Sequence, residues 1–313
     1  MHTIKATYRV VTPMFCGGAE PTREAELRVP SFKGVLRFWW RALMWRNVGD
    51  VAELRNSEAS FFGSSDSGQS RVLMRLEKHI VSERKITEQW SPASWQRYTG
   101  YGLRDKGERC FLPVCDWRLL LTVRRCDDVE IESLLSALKL FGLVGGLGSR
   151  ARKGWGCTTL LAMDGAPWQC PANADTWRAA MRSLVGGDLP SSAPFTAATE
   201  GSRWNAGTIH PDAAAAQQWL GQRYRDSVKA TEPKAARAQF GLPREFKKGT
   251  QPRRERRASP LFLHVHSCGG GKALPCALWL PAAFLENSPA IPGNGDAGRR
   301  FVETLDSTTA GQM

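Results

Sequence analysis

The chain is poor in the residues and spacings that carry most enzyme chemistry. None of its eight cysteines forms a CxxC pair, which removes zinc ribbons and dithiol redox motifs from consideration. No run approaches the eighteen or so apolar residues that span a bilayer. The first apolar run, Val10-Val11, is too short for a secretory signal. The expectation is therefore a cytoplasmic protein with reduced cysteines. No Gly-Lys-Ser or Gly-Lys-Thr follows a glycine-rich loop, so nucleotide hydrolysis of the Walker type finds no support. His2, His79 and His210 are isolated, and Asp127-Asp128 reads as a turn or helix cap. No catalytic set, metal site or cofactor is expected. Acidic residues are also scarce, 30 against 43 lysines and arginines, which leaves a net charge of +13. That excess favours a polyanion, RNA or DNA first and an anionic membrane surface second.

What is present supports a packed core. Hydrophobic residues make up 42% of the 313, and tryptophan occurs 12 times against 4 tyrosines. Alternation predicts strands over 4–11, 71–77, 116–124 and 157–163. Helical spacing predicts helices from Pro30-Ser31 to about Trp45 and around 131–141. The order is β-α-β-β-α-β, the ferredoxin-like arrangement shared with the RRM, with an insertion at about 81–115. In the second half, helices are expected over 175–184, 211–220 and 221–240, and strands over 260–266 and 276–280. Phe141-Gly142-Leu143 and Phe240-Gly241-Leu242 each precede a basic loop and a strand, an echo that suggests a duplicated unit. The expected class is α+β: two ferredoxin-like domains in tandem, 1–165 and 166–285. The second carries extra helices and is short of strands, and 286–313 reads as a flexible tail.

Three basic regions stand out. Gly145 to Gly156 holds five glycines, Arg150, Arg152, Lys153 and Trp155, whose flat face offers a base a platform for stacking. Glycines let N–H groups turn toward an anion, so the loop reads as a phosphate cradle rather than a plain turn. On the first helix Lys33, Arg37 and Arg41 recur every four residues and line one face. Phe38 and Trp39 fit the core better than Trp40, which lies nearer the basic row and is the better platform for a base. The run Lys247 to Arg257, with Arg254 and Arg257, fits RNA contact and plain solvation equally well. His264 and His266 share one face of a strand, a spacing that permits a metal pair with no further ligands indicated.

Thr12 to Ala19 and Leu27 to Ala42 resemble the N-terminal signature of the first RAMP subunit of the type III-B CRISPR effector, the Cmr complex. Gly145 to Gly156 resembles the glycine-rich loop of RAMP proteins in general. Phe240 to Arg244 and Arg257 to Leu261 resemble the same subunit's C-terminal half. The resemblance implies two ferredoxin-like domains and a non-catalytic subunit at the head of a ribonucleoprotein, near the 3′ end of the guide RNA. There it helps to capture complementary target RNA, with guide RNA, target RNA and other Cmr subunits as partners and no membrane. Resemblance and chemistry together place Gly17, Gly18, Lys33, Arg37, Trp39, Trp40 and Arg41 on one groove wall. Gly145, Gly146, Gly148, Arg150, Arg152 and Lys153 face it as the phosphate contact. The alternative is a metal-independent endoribonuclease that processes guide precursor, for which Tyr8, His264 or His266 could serve. A third class is an adaptor whose basic surface meets acidic neighbours.

Overall fold

The computed structural model describes residues 1–103, 108–164, 166–241, 258–282 and 296–306. The N-terminal half is built on a four-stranded antiparallel sheet. Its strands are β1 (His2–Val10), β3 (Val72–Leu76), β5 (Cys115–Val123) and β6 (Thr158–Asp164), in the order β3-β5-β1-β6. Period-two alternation sends Ile4, Ala6, Tyr8 and Val10 of β1 to the same buried face as Trp117, Leu119, Leu121 and Val123 of β5. Tyr8 lies opposite Trp117 in register, their rings stacked with centroids 4.8 Å apart. Two helices cover that face, α1 (Val29–Val48) and α4 (Asp128–Val144). The second helix of the α1 arm, α2 (Val51–Phe62), was not foreseen. Short β2 (Ala25–Glu26) pairs with β4 (Val81–Ser82), and α3 (Trp95–Thr99) lies in the expected insertion.

Strand order makes the first half a complete ferredoxin-like unit. The second half has α5 (Ala174–Val185), β7 (Arg203–Ala206), α6 (Ala213–Ala230), a 3₁₀ turn Lys234–Phe240, β8 (Leu261–Gly269), β9 (Lys272–Trp279) and α7 (Asp296–Glu303). Its sheet order is β7-β9-β8, all antiparallel. From β7 to α7 this is the β-α-β-β-α portion of the same unit, with three of its four strands among the described residues. The Phe-Gly-Leu echo does not mark equivalent positions: Phe141 lies on the second helix of the first unit, whereas Phe240 follows the first helix of the second. The helix expected over 221–240 stops at Ala230, and the stretch expected as a flexible tail contains α7. Ala297, Phe301, Val302 and Leu305 are buried there in the same cluster as Tyr224 and Val228 of α6.

The two halves share a core. Phe262, Leu274, Cys276 and Leu278 of the second sheet join the core of the first, while Leu263, Val265 and Ala277 face α6. A sheet covered on both faces loses its alternation, and β8 is buried from Leu261 to Ser267. For the same reason α4 is buried all round from Leu140 to Val144. The indole N–H of Trp177 on α5 donates to the Leu143 carbonyl (3.1 Å), which ties α5 to the first core.

Candidate nucleic-acid interface

α1 starts at Val29 with Arg28, not Ser31, in the capping position, and ends on Gly49 in the left-handed region (φ 69°). Its inner face holds Phe32, Leu36, Trp39 and Trp40. Trp39 is 1% exposed and Trp40 3%. The Trp40 indole donates to Ser133 Oγ (2.9 Å) and packs on Phe61 and Phe62 of α2. Both tryptophans are core, and neither can receive a base. The reason is α2: once it folds against α1, the flank of Trp40 is covered. The ring left half-buried is Phe38.

The basic row does lie at the surface, and α2 organises it. Glu58, 4% exposed, accepts at a single oxygen from Arg37 Nε (2.5 Å) and from Arg41 Nη1. Each arginine side chain remains about one-third exposed (33% and 34%). Lys33, one turn earlier, has its pKa lowered by burial and by repulsion from Arg37. Arg55 of α2 is exposed beside them. The signal for this arm was present as Asp50 three residues before Glu53. In the structure the Asp50 side chain caps α2 by accepting from the Glu53 N–H.

The glycine-rich loop is built differently from a phosphate cradle. The N–H groups of Leu147, Ser149, Lys153 and Gly156 go to the carbonyls of Gly156, Phe15, Arg150 and Pro13. They are spent within the protein, so they cannot all converge on an anion. The glycines permit close backbone approach. At Gly148 (φ +83°) a Cβ would sit 2.5 Å from the Phe15 carbonyl oxygen, and at Gly156 (φ +63°) 2.1 Å from that of Leu147. Gly145 and Gly146 are buried in the same crossing. Trp155, the flat face read from sequence as a platform, is 2% exposed and packs with Trp95, Trp90 and Phe15.

Two of the loop's three cations point inward. Arg152 donates to the Ser259 carbonyl (2.6 Å) and stacks over Phe38 and Phe262, its carbon 4.9 and 4.5 Å from the ring centres. Lys153 Nζ reaches Tyr224 Oη (2.5 Å), Ser259 Oγ (3.2 Å) and the Phe240 carbonyl (3.4 Å). These side chains fasten the first half to the second. Only Arg150 turns outward. It donates from Nε to the Tyr101 carbonyl (2.7 Å), near Arg109, whose Nη1 donates to Ser149 Oγ (3.0 Å). Tyr101, Arg109, Ser149 and Arg150 line a polar cleft of about 330 Å³. Gly17, bridged to Ala25, and Gly18 follow Phe15, whose carbonyl accepts from the loop's Ser149 N–H. Their neighbours include Glu26, whose carboxylate would lie 3.1 Å from a Cβ at Gly18. Arg254 and Arg257 lie outside the described residues.

The structure thus brings α1 and the glycine-rich loop together, at Arg152 on Phe38. Sequence reasoning missed Arg55, Glu58, Arg109 and Phe195. The last approaches α1 from the segment before β7, its ring 5.2 Å from that of Trp45. The side chains named for the endoribonuclease reading are sealed. Tyr8, His264 and His266 are each 0% exposed. Tyr8 donates to the Leu138 carbonyl (3.0 Å), and burial drives the pKa of His264 well down and that of His266 to about 4. Among the described residues no three His, Cys, Asp or Glu side chains are grouped as metal ligands. No described helix is long and apolar enough to cross a membrane.

Comparison with known proteins agrees with this architecture. Residues 7–159 match the RAMP superfamily. The chain is 36% identical over 98 residues to the CRISPR system Cmr subunit Cmr1-2 of Pyrococcus furiosus, a match covering 29% of this chain and 51% of the relative. The chain thus spans about half the length of the curated relative it matches. The fold resembles the crystal structure of Cmr1 from Pyrococcus furiosus in its apo form (TM-score 0.60, 19% identity, 97% of each chain). It also resembles a chain of the type III-B Cmr-beta complex bound to cognate target RNA (TM-score 0.62, 10% identity, 97% of this chain and 98% of that one). The match to the RAMP superfamily thus spans residues 7–159, the ferredoxin-like unit that carries α1, α2 and the glycine-rich loop.

Proposed function

We propose that this chain is an RNA-contacting, non-catalytic subunit of a type III-B CRISPR ribonucleoprotein in the cytoplasm. In this reading it sits near the 3′ end of the guide RNA and helps to capture complementary target RNA. Guide RNA, target RNA and neighbouring Cmr-type subunits are its partners. The observation that carries the reading is the outward row Lys33, Arg37 and Arg41 on α1, with two guanidiniums held side by side on a buried carboxylate. Its setting adds support, because relatives of the same fold are subunits of Cmr complexes. The contacts are to phosphates and to unpaired bases; sequence is read by guide–target pairing, so the protein surface tolerates any sequence. Arg150 with Arg109 forms a second phosphate contact. Trp39, Trp40, Arg152 and Lys153 are structural and drop out of the interface.

Binding of single-stranded RNA across a salt series tests the assignment. Each of Arg37→Ala, Arg41→Ala and Arg150→Ala weakens binding and lowers the salt slope by ~0.7. Crosslinking of the assembled complex, mapped to residues and to nucleotide position, tests the place near the guide 3′ end. An unchanged slope in all three variants, or crosslinks confined to other subunits, refutes the reading.

A further inference from the structure

Between α1 and α2 lies a cleft of about 380 Å³, lined by Phe38, Arg41, Leu54, Arg55, Glu58 and Phe195 among others. We propose that this cleft receives one unpaired nucleobase of the bound RNA strand, stacked against Phe38 and Phe195, with its flanking phosphates on Arg41 and Arg55. The proposal rests on the RNA-binding reading above and adds a site to it.

Three observations carry it. First, the walls are aromatic and half-buried on both sides, Phe38 from α1 and Phe195 from the segment before β7. An unstacked base needs such a face, and the tryptophans named from sequence cannot supply one. Second, the walls are fixed before any ligand arrives. The Phe195 segment is strapped to α1 by Trp45 Nε1 donating to the Ser192 carbonyl (2.9 Å) and by the Ala198 N–H donating to the Ala42 carbonyl (2.9 Å). Phe38 is backed by Trp39, Phe262 and Arg152. A rigid slot loses little side-chain entropy on binding. Third, charge at the rim selects the ligand class. Arg41 and Arg55 flank the opening, and Arg37 and Lys33 continue the row along α1, so whatever enters must carry anions beside a flat apolar group. An RNA strand combines the two at the spacing of one nucleotide. An aromatic side chain of a protein partner would meet four cations there with only Glu58 to offset them.

The test uses the full chain and a short single-stranded RNA in which each nucleotide in turn is made abasic, leaving every phosphate in place. The wild-type chain should lose affinity by ~10-fold or more at one position of a tightly registered strand, the worth of one stacked base. Phe195→Ala should remove that sensitivity while keeping the salt slope, because it removes a ring and no charge. Arg55→Ala should do the reverse, lowering the slope by ~0.7 and keeping the abasic sensitivity. RNA binding with no sensitive position overturns this proposal alone and leaves the cleft to a protein side chain. Sensitivity that persists in Phe195→Ala overturns it as well. Failure of the wild-type chain to bind RNA at all overturns the wider reading too.

Discussion

Removal of Arg37 and Arg41 together should cost more stability than the sum of the two single changes. Both guanidiniums bond one oxygen of Glu58, a carboxylate that is 4% exposed. In Arg37→Ala the Arg41 bond remains, and in Arg41→Ala the Arg37 bond remains. Each single change deletes one charge-assisted hydrogen bond from an arginine side chain that is about one-third exposed. Solvent screens such a group, so the loss is ~1 kcal/mol or less. The double change leaves the Glu58 charge buried without either guanidinium, a situation that costs ~3–5 kcal/mol. The excess over additivity is then at least about 1–3 kcal/mol. Urea unfolding followed by tryptophan fluorescence reads it as a shift in midpoint at constant slope. Glu58→Gln placed in the double variant removes the buried charge and should restore most of the excess. Additivity within ~0.5 kcal/mol would show that Glu58 is reached by water or another cation, and the triad argument would fail. The same reasoning dictates that RNA binding be measured on single variants, because the double variant confounds lost contacts with lost fold.

Other consequences are simpler to state. Gly156→Ala brings a Cβ to 2.1 Å from the Leu147 carbonyl at φ +63°, so the variant should fail to accumulate as folded protein, whereas Gly34→Ala, with nothing within 4 Å, should fold normally. Trp155→Ala should destabilise by ~3–5 kcal/mol in urea, as a buried aromatic does; a stable variant with weakened RNA binding would return Trp155 to the interface. His266 is held neutral in the core with its pKa lowered from 6.5 to about 4. The unfolded chain therefore binds the proton first as pH falls, so the stability is fully present above pH 6.5 and is lost progressively down to about 4. Urea midpoints across that window should fall for the wild type and fall less for His266→Leu; parallel curves would refute the assignment.

The first ferredoxin-like unit was legible because each of its elements carries a strong local pattern. Alternation in β1 and β5 marks a sheet with one buried face, and the α4 apolar spacing marks a helix on it. Helix α2 was missed because a glutamate interrupts its inner face: the residues of Val51–Phe62 that it buries are Leu54, Glu58, Phe61 and Phe62. That omission propagated into the site. Without α2, Trp40 looked free and Glu58 had no role. Strand β7, four residues long, is too short for alternation to register. The buried pair His264 and His266 showed one face of a strand correctly, but sequence could not tell that this face packs on α4. Sidedness of that kind is set by the second half closing over the first, a tertiary fact that no local window contains.

The glycine-rich loop shows why composition misleads about anion binding. A phosphate site and a backbone crossing both call for glycine, and both gather cations, the first to meet a ligand and the second to satisfy carbonyls. What separates them is where the N–H groups go. Here the N–H groups at Leu147, Ser149, Lys153 and Gly156 end on protein carbonyls, and Arg152 and Lys153 follow them inward to the Ser259 and Phe240 carbonyls. Charge that bonds inside the fold releases no counterions when RNA binds. The described surface proposed for RNA then offers six cations, Lys33, Arg37, Arg41, Arg55, Arg109 and Arg150, which bounds the single-strand salt slope at about 4. A measured slope well above that bound would assign the remainder to cations elsewhere in the chain, with Arg254 and Arg257 the first to substitute.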